Sequence, residues 1–258
     1  MNHVSAQARK SNLRLNIDRT VIVVLFLALW QIAANRQWTD PVFTGSPLGI
    51  AQFLYDETVK GLLVSELAWT MGGALISFAV GSVAAVTTGL LFLAKPRLEG
   101  LLNPIFTALN SMPRIALAPL FLIWFGLGLG SKIAMGASLT YFIVLSSTLA
   151  GGRAVTADHL QLATVLDASA VQRFFRFVLP SAIPTLFVGL RLGLIYALLG
   201  VVGSEIIASE HGLGQMISIL AAGFKTNGVL GIIIVLAILG SLLSAIMNRI
   251  EARLLFWR

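Results

Sequence analysis

The chain of 258 residues has no cysteine, which removes disulfide frameworks, Cys-ligated zinc, iron–sulfur ligation and thiol catalysis together. Histidine is almost as scarce. His3, His159 and His211 are far apart in the chain, in segments read below as a tail and two loops on opposite sides of a membrane, so no histidine cluster is available to a metal. Charge is the third shortage: Asp, Glu, Lys and Arg make up 11% of residues against 57% hydrophobic ones, with a mean hydropathy of +0.89. Such a composition belongs to a membrane protein and excludes a soluble globular domain. Acid is scarcer than base, leaving a formal net charge of +7. The basic residues are dispersed rather than gathered on one face, which points to membrane topology and away from nucleic acid. No Gly-x-Ser-x-Gly or His-Glu-x-x-His occurs, and no aspartate interrupts an apolar stretch, so intramembrane hydrolysis has neither nucleophile nor base. The run GLGLGSK from Gly126 to Lys132 imitates a phosphate loop, but Ser131 precedes Lys132 and Ile133 follows it. It reads as a tight external turn.

What the chain has in abundance is long apolar windows. A helix needs ~20 apolar residues to cross a bilayer, and six windows approach that: Thr20 to Asn35, residues 67–94, Ile115 to Ser131, Ile133 to Gly152, the stretch after Pro180, and Thr226 to Asn248. The first, behind Arg9, Lys10, Arg14 and Arg19, also has the shape of a signal-peptide apolar region. Ala33 and Ala34 lie near its end, but no clean Ala-x-Ala follows. The expected division is a cytoplasmic tail (1–19), a first membrane helix (20–35), an external segment (36–66), a core (67–250) containing a cytoplasmic loop (153–180), and a cytoplasmic tail (251–258). With both termini inside, twelve of the eighteen Lys and Arg residues are cytoplasmic and only Arg36, Lys60, Lys132 and Lys225 are external. That asymmetry satisfies the positive-inside rule. The fold class is therefore all-α integral membrane with six transmembrane helices.

Gly73, Ser77, Gly81, Ala85 and Gly89 recur at every fourth position of the second window, and Gly189, Gly193 and Ala197 repeat the device in the fifth. Lipid supplies no hydrophobic drive between helices, so association rests on close backbone approach along such strips. The expectation is a compact bundle rather than isolated anchors.

Residues 153–180 are too polar to cross a membrane and too patterned to be slack. Val155, Leu162, Ala163 and Leu166 fall near one face of a first short helix; Val171, Phe174, Phe175 and Val178 are spaced i, i+3, i+4, i+7 on a second. Ser169 followed by Gln172 is a capping box that starts the second helix, and Leu179-Pro180 is expected to end it.

This loop resembles the "EAA" loop of binding-protein-dependent ABC importer permeases, whose pattern runs Glu-Ala-Ala, three residues, Gly, nine residues, an aliphatic, one residue, Leu-Pro. Gln161, Leu162 and Ala163 take the Glu-Ala-Ala place, Asp167 the glycine place and Phe177 the aliphatic place before Leu179-Pro180. Asp is among the few non-glycine residues that visit left-handed backbone at a helix end, at roughly 1 kcal/mol. PRIALAPLFLIWFGLG from Pro113 and LRLGLIYALLGVVGSEIIASEHGLG from Leu190 look like stretches of the nitrate, sulfonate and taurine branch. The resemblance covers roughly residues 45–255. It implies a type I ABC importer permease fold with paired cytoplasmic coupling helices, in a bacterial inner membrane. The implied assembly has two copies of the chain, two cytoplasmic ATPase subunits carrying ATP and Mg, and an external solute-binding protein. It also implies that this chain has no cofactor or catalytic residue of its own, that Asp158, Gln161, Leu162, Ala163, Leu166, Asp167, Ala168 and Ser169 meet the ATPase, and that the solute is a small anion. Importers of vitamins and pyrimidine precursors also belong to the branch. A secondary transporter or channel would need broken-helix repeats and midplane carboxylates, and neither is visible.

Arg114 and Arg191 fall inside apolar stretches, where an arginine costs ~2.5 to 3.5 kcal/mol at the bilayer centre on insertion scales. Each therefore either snorkels to the headgroups or lines a pathway. Together with Tyr196 and Glu205 they are the candidate pathway residues. The resemblance puts Glu205 near an external gate; a solvated carboxylate at a helix end is the other reading.

Overall fold

The computed structural model describes residues 2–38, 40–155 and 157–254, without the side chains of 2–16, 41, 157–160 and 170. All regular structure among these residues is helical. α1 (Asn2–Asn35), α4 (Leu62–Ala94), α7 (Leu129–Arg153), α10 (Leu179–Ile207) and α12 (Thr226–Leu254) are the long elements. Between them lie α2 (Pro41–Thr44), α3 (Pro47–Val59), α5 (Pro96–Ser111), α6 (Ala118–Phe125), α8 (Ala157–Val165), α9 (Ala170–Arg173) and α11 (Leu213–Ala222). Proline opens several of them: Pro47, Pro96 and Pro119 each sit in a first helical turn, where the missing amide hydrogen has no partner to lose.

Five helices are long and apolar enough to cross a bilayer, and a sixth span exists if the bent pair Pro96–Ser111 and Arg114–Phe125 counts as one. That pair corrects the third window. Ile115 to Ser131 is not one crossing: it holds a 3-10 turn (Arg114–Leu117), α6, which stops at Phe125, and the first residues of α7, and the 3-10 turn and α6 together meet α5 at 87°. Pro113 and Pro119 remove amide donors at the bend, and Gly126 at φ 74° ends α6. The predicted turn through Lys132 is also shorter than expected. α7 begins at Leu129, so Ser131 and Lys132 already lie on a helix and are buried. The segment expected to be external (36–66) likewise holds two helices, α2 and α3, and α4 has begun by Leu62.

α4, α7 and α10 form the centre of the bundle, and glycine is why they approach so closely. A Cβ at Gly81 would lie 2.7 Å from the carbonyl oxygen of Ala137, and one at Gly89 would lie 2.6 Å from the Thr148 methyl. Gly193 faces Val144 and Gly189 faces Ser147. Gly136, which the sequence strips did not include, is where the three helices converge: its Cβ would meet Ser77 Oγ at 2.6 Å and the Ala197 carbonyl at 3.0 Å. Hydroxyls cross the same seam, Thr140 Oγ1 donating to Gly193 O at 3.0 Å and Ser77 Oγ to Ile133 O at 3.3 Å. A second cluster of Leu63, Leu213, Met216, Leu220 and Ile232 packs α11 and α12 onto the bundle. α1 stands apart, its apolar side chains exposed from Ile17 to Ile32 and tied to α3 by Leu48 N donating to Gln31 Oε1 at 3.0 Å.

Candidate functional site

The beginnings of α4 and α7, the end of α10 and the start of α11 meet at one end of the bundle around a buried carboxylate. Glu205, in the last turn of α10, has a side chain with no exposure, and Lys132, in the first turn of α7, is 2% exposed. Lys132 Nζ donates to Glu205 Oε1 at 3.1 Å and to the carbonyl of His211 at 2.5 Å. Thr70 Oγ1 donates to Glu205 Oε2 at 2.9 Å and accepts from Leu213 N at 2.8 Å, while Gly214 N donates to Glu205 Oε2 at 2.9 Å. The first turn of any helix has amides without intrahelical acceptors; here they are capped by side chains from two other helices. Glu66 accepts from Gly212 N and lies 3.5 Å from His211 Nδ1, and the His211 ring stacks on Trp69 at 5.0 Å. Gly212 has φ 114°, and a Cβ there would collide with the Glu205 carboxylate, so no other residue fits. The 208–214 segment is thereby latched to the bundle by one buried ion pair and the donors around it.

These contacts overturn the solvated reading of Glu205, which is buried and paired. They also reveal Lys132, assigned from sequence to an external turn, as its partner. Unlike charges at adjoining helix ends were the available signal. Arg191 is engaged as well: it donates to Asn248 and lies 3.5 Å from Glu251 Oε2, joining α10 to α12. Arg114 is half-buried, donates to the carbonyl of Leu109 at 2.7 Å and lies 4.1 Å above the Phe142 ring in a cation–π contact. Tyr196 is 39% exposed on α10. The four candidate pathway residues do not converge: Glu205 is locked at one end, and Arg191 is held against α12.

At the other end of the bundle the 154–178 loop forms a helical hairpin. Asp167 takes φ 47°. Ala168 N donates to Ala163 O at 2.9 Å and Asp167 N to Thr164 O at 3.1 Å, the two bonds of a Schellman C-cap. Ser169 and Gln172 then make the expected box, Ser169 N donating to Gln172 Oε1 at 3.0 Å and Gln172 N to Ser169 Oγ at 3.3 Å. Two features differ from expectation. Leu179-Pro180 does not end the second helix: α9 runs through a π turn (Phe174–Val178) into α10, giving one apolar helix from Val171 to Ile207. The wider turn accommodates a proline that cannot donate. Ala163, placed with Leu162 and Leu166 on one face, is fully buried, while Leu162, Val165 and Leu166 are 48%, 83% and 63% exposed. Gln161, Asp167 and Ser169 are exposed and Ala168 is half-buried; the Asp158 side chain lies outside the described ones.

Among the described residues no group of three or more His, Asp or Glu could hold a metal. Residues 77–256 match the family model described as "binding-protein-dependent transport system inner membrane component". The putative aliphatic sulfonates transport permease protein SsuC of Bacillus subtilis is 30% identical over 238 residues, 92% of this chain and 86% of that protein. The formylaminopyrimidine transport permease protein ThiX of Halalkalibacterium halodurans is 29% identical over 242 residues, 94% and 96% of the two. In fold, the chain resembles one from solved inward-facing conformations of the MetNI methionine ABC transporter, with a TM-score of 0.67 at 20% identity over 76% of this chain and 98% of that one. The sequence-wide match and the shared helical architecture agree, and the chain belongs to the binding-protein-dependent inner membrane components: it is a multi-pass permease of an ABC importer, with ATP hydrolysis carried by a separate ATPase subunit.

Proposed function

We propose that this permease works as a pair of identical copies, with both termini cytoplasmic, and imports a small organic or inorganic anion, a sulfonate, nitrate or carboxylate, handed over by an external solute-binding protein. Two cytoplasmic ATPase subunits drive it through the 154–178 hairpin. The observation that carries this reading is the continuous helix from Val171 to Ile207, which begins in the hairpin and ends at the Glu205 latch. At ~1.5 Å per residue a helix of that kind spans the whole bilayer. Displacing the hairpin therefore displaces the far end, and a bundle with two packings converts the push into alternating access. The exposed Leu162, Val165 and Leu166 are the surface offered to the ATPase, with Gln161, Asp167 and Ser169 beside them; buried Ala163 holds the hairpin's own shape. The anion rests on the likeness to the sulfonate permease. The equally extensive likeness to a formylaminopyrimidine permease supports a pyrimidine precursor as the second reading.

Uptake into proteoliposomes tests it. The permease, its co-purified ATPase and the binding protein are supplied with labelled sulfonate, nitrate, bicarbonate or formylaminopyrimidine. ATP-dependent accumulation of one anion is the expected result. Equal uptake without the ATPase refutes the coupling, and accumulation of the pyrimidine alone refutes the anion.

A further inference from the structure

At the hairpin end of the bundle a cavity of about 590 Å³ opens between Leu93 and Ala94 of α4 on one side and Val171, Phe174, Phe175 and Val178 on the other. Its walls are apolar except for Arg173, whose Nε is buried and has no hydrogen-bond partner among the described residues. A buried guanidinium nitrogen with nothing to donate to marks an acceptor that comes from elsewhere.

Depth says what kind. Leu93 and Ala94 are the last residues of a membrane-crossing helix, and Lys95 and Arg97, which follow, are exposed. The cavity mouth thus lies where hydrocarbon gives way to headgroups. Val171 and Phe175 are 66% and 60% exposed at that level, with the Phe175 ring edge-on to Phe174 at 5.3 Å. Arg176 is also exposed nearby in the chain, while Glu99, the acid closest in sequence to α4's end, is already paired with Arg153. An apolar hollow under arginine and lysine that no acid pairs with among the described residues, at a bilayer edge, matches a lipid with a negative headgroup. Arg173 borders a second hollow with Gln161, Thr164 and Val165, on the side assigned above to the ATPase, so the Leu93–Phe174 cavity is left for the membrane.

We propose that this cavity holds one anionic phospholipid, its acyl chain against Phe174, Phe175 and Val178 and its phosphate against the Arg173 guanidinium. The lipid staples the hairpin to the end of α4 and makes the hairpin's position sensitive to bilayer charge. The inference rests on the placement of the ATPase proposed above and does not depend on the transported solute.

The test uses the full chain, delipidated in detergent and titrated with phosphatidylglycerol or with phosphatidylcholine of the same acyl chains, bound lipid being counted by native mass spectrometry. One phosphatidylglycerol is expected to bind at least about fivefold more tightly than phosphatidylcholine, and Arg173→Gln to erase that preference, since one basic residue near a membrane surface is worth about fivefold. Phe175→Ala should weaken both lipids. If Arg173→Gln impairs folding, Arg173→Lys keeps the charge, removes the Nε donor and should still lower phosphatidylglycerol retention. Equal binding of the two lipids by the unmodified chain, or unchanged preference in both Arg173 variants, overturns the proposal. So does displacement by glycerol phosphate, which would make the cavity a free-anion site. Adding the ATPase subunit must leave the lipid bound; its expulsion would assign the cavity to that subunit.

Discussion

Removing both members of the Lys132–Glu205 pair should cost clearly less than the sum of removing each alone. Lys132→Met keeps the side-chain length and leaves the Glu205 carboxylate buried with only the Thr70 hydroxyl and the Gly214 amide as donors. Glu205→Gln leaves the Lys132 ammonium buried against the His211 carbonyl. Breaking a buried pair from one side costs about 3–5 kcal/mol because a charge is stranded out of water. For a chain of this size about 2–4 °C accompanies each kcal/mol, so each single variant should melt roughly 6–20 °C lower. The double variant is neutral, and its glutamine oxygen still accepts from Gly214 N. It should recover at least about 1.5 kcal/mol relative to the sum of the singles, within the range measured for contacting residues. Trp69 stacks on His211 within the latch, so tryptophan fluorescence during a thermal ramp in detergent reads the event locally once the other four of the five tryptophans are replaced by phenylalanine. With exposures of 2% and 0%, the pair should also be insensitive to added salt. A double variant whose loss equals the sum of the singles would refute the coupling.

Gly212→Ala places a methyl against the Glu205 carboxylate at φ 114° and should match the single charge variants in lowered melting temperature, whereas Gly203→Ala, which meets nothing within 4 Å, should be near neutral. Leu166→Glu, on an exposed position, should abolish substrate-stimulated ATPase activity of the assembled importer without lowering the melting temperature. Ala163→Glu, at a position with no exposure, should lower both, and a melting temperature equal to the parent's would contradict the packing. Asp167→Gly relieves a left-handed backbone worth roughly 1 kcal/mol, which hydrogen exchange should register as slower opening of α8. Gly136→Leu, forced between Ser77 and Ala197, should prevent recovery of a monodisperse protein by size exclusion.

The sequence signals that held are the local ones. The Ser169–Gln172 box and the glycine strips on α4 and α10 follow from spacing alone, because each concerns residues within a few turns, and the left-handed Asp167 follows from the loop pattern the segment resembles. Lys132 and Glu205 are 73 residues apart, and their union depends on two helix ends arriving at the same level, which spacing does not encode. Arg191 escaped for the same reason: Asn248 and Glu251 neutralise it from α12. The third window failed differently, since hydropathy averages over Gly126 and Gly128 and conceals the break between α6 and α7. Ala163 was misplaced because a helix of nine residues offers too few turns for its 3.6-residue periodicity to say which side is inner.

The near-bare seam between α4, α7 and α10 has a mechanical consequence. Interlocked large side chains would act as teeth and fix the vertical setting of neighbouring rods. Glycine hydrogens are smooth, and the few fasteners across them, such as Thr140 to the Gly193 carbonyl, grip main-chain oxygens that recur every ~5.4 Å along a helix. A rod in such a bearing can travel one notch and find an equivalent grip, so resistance to sliding falls on the ends, where the ionic latch sits, and not on the shaft.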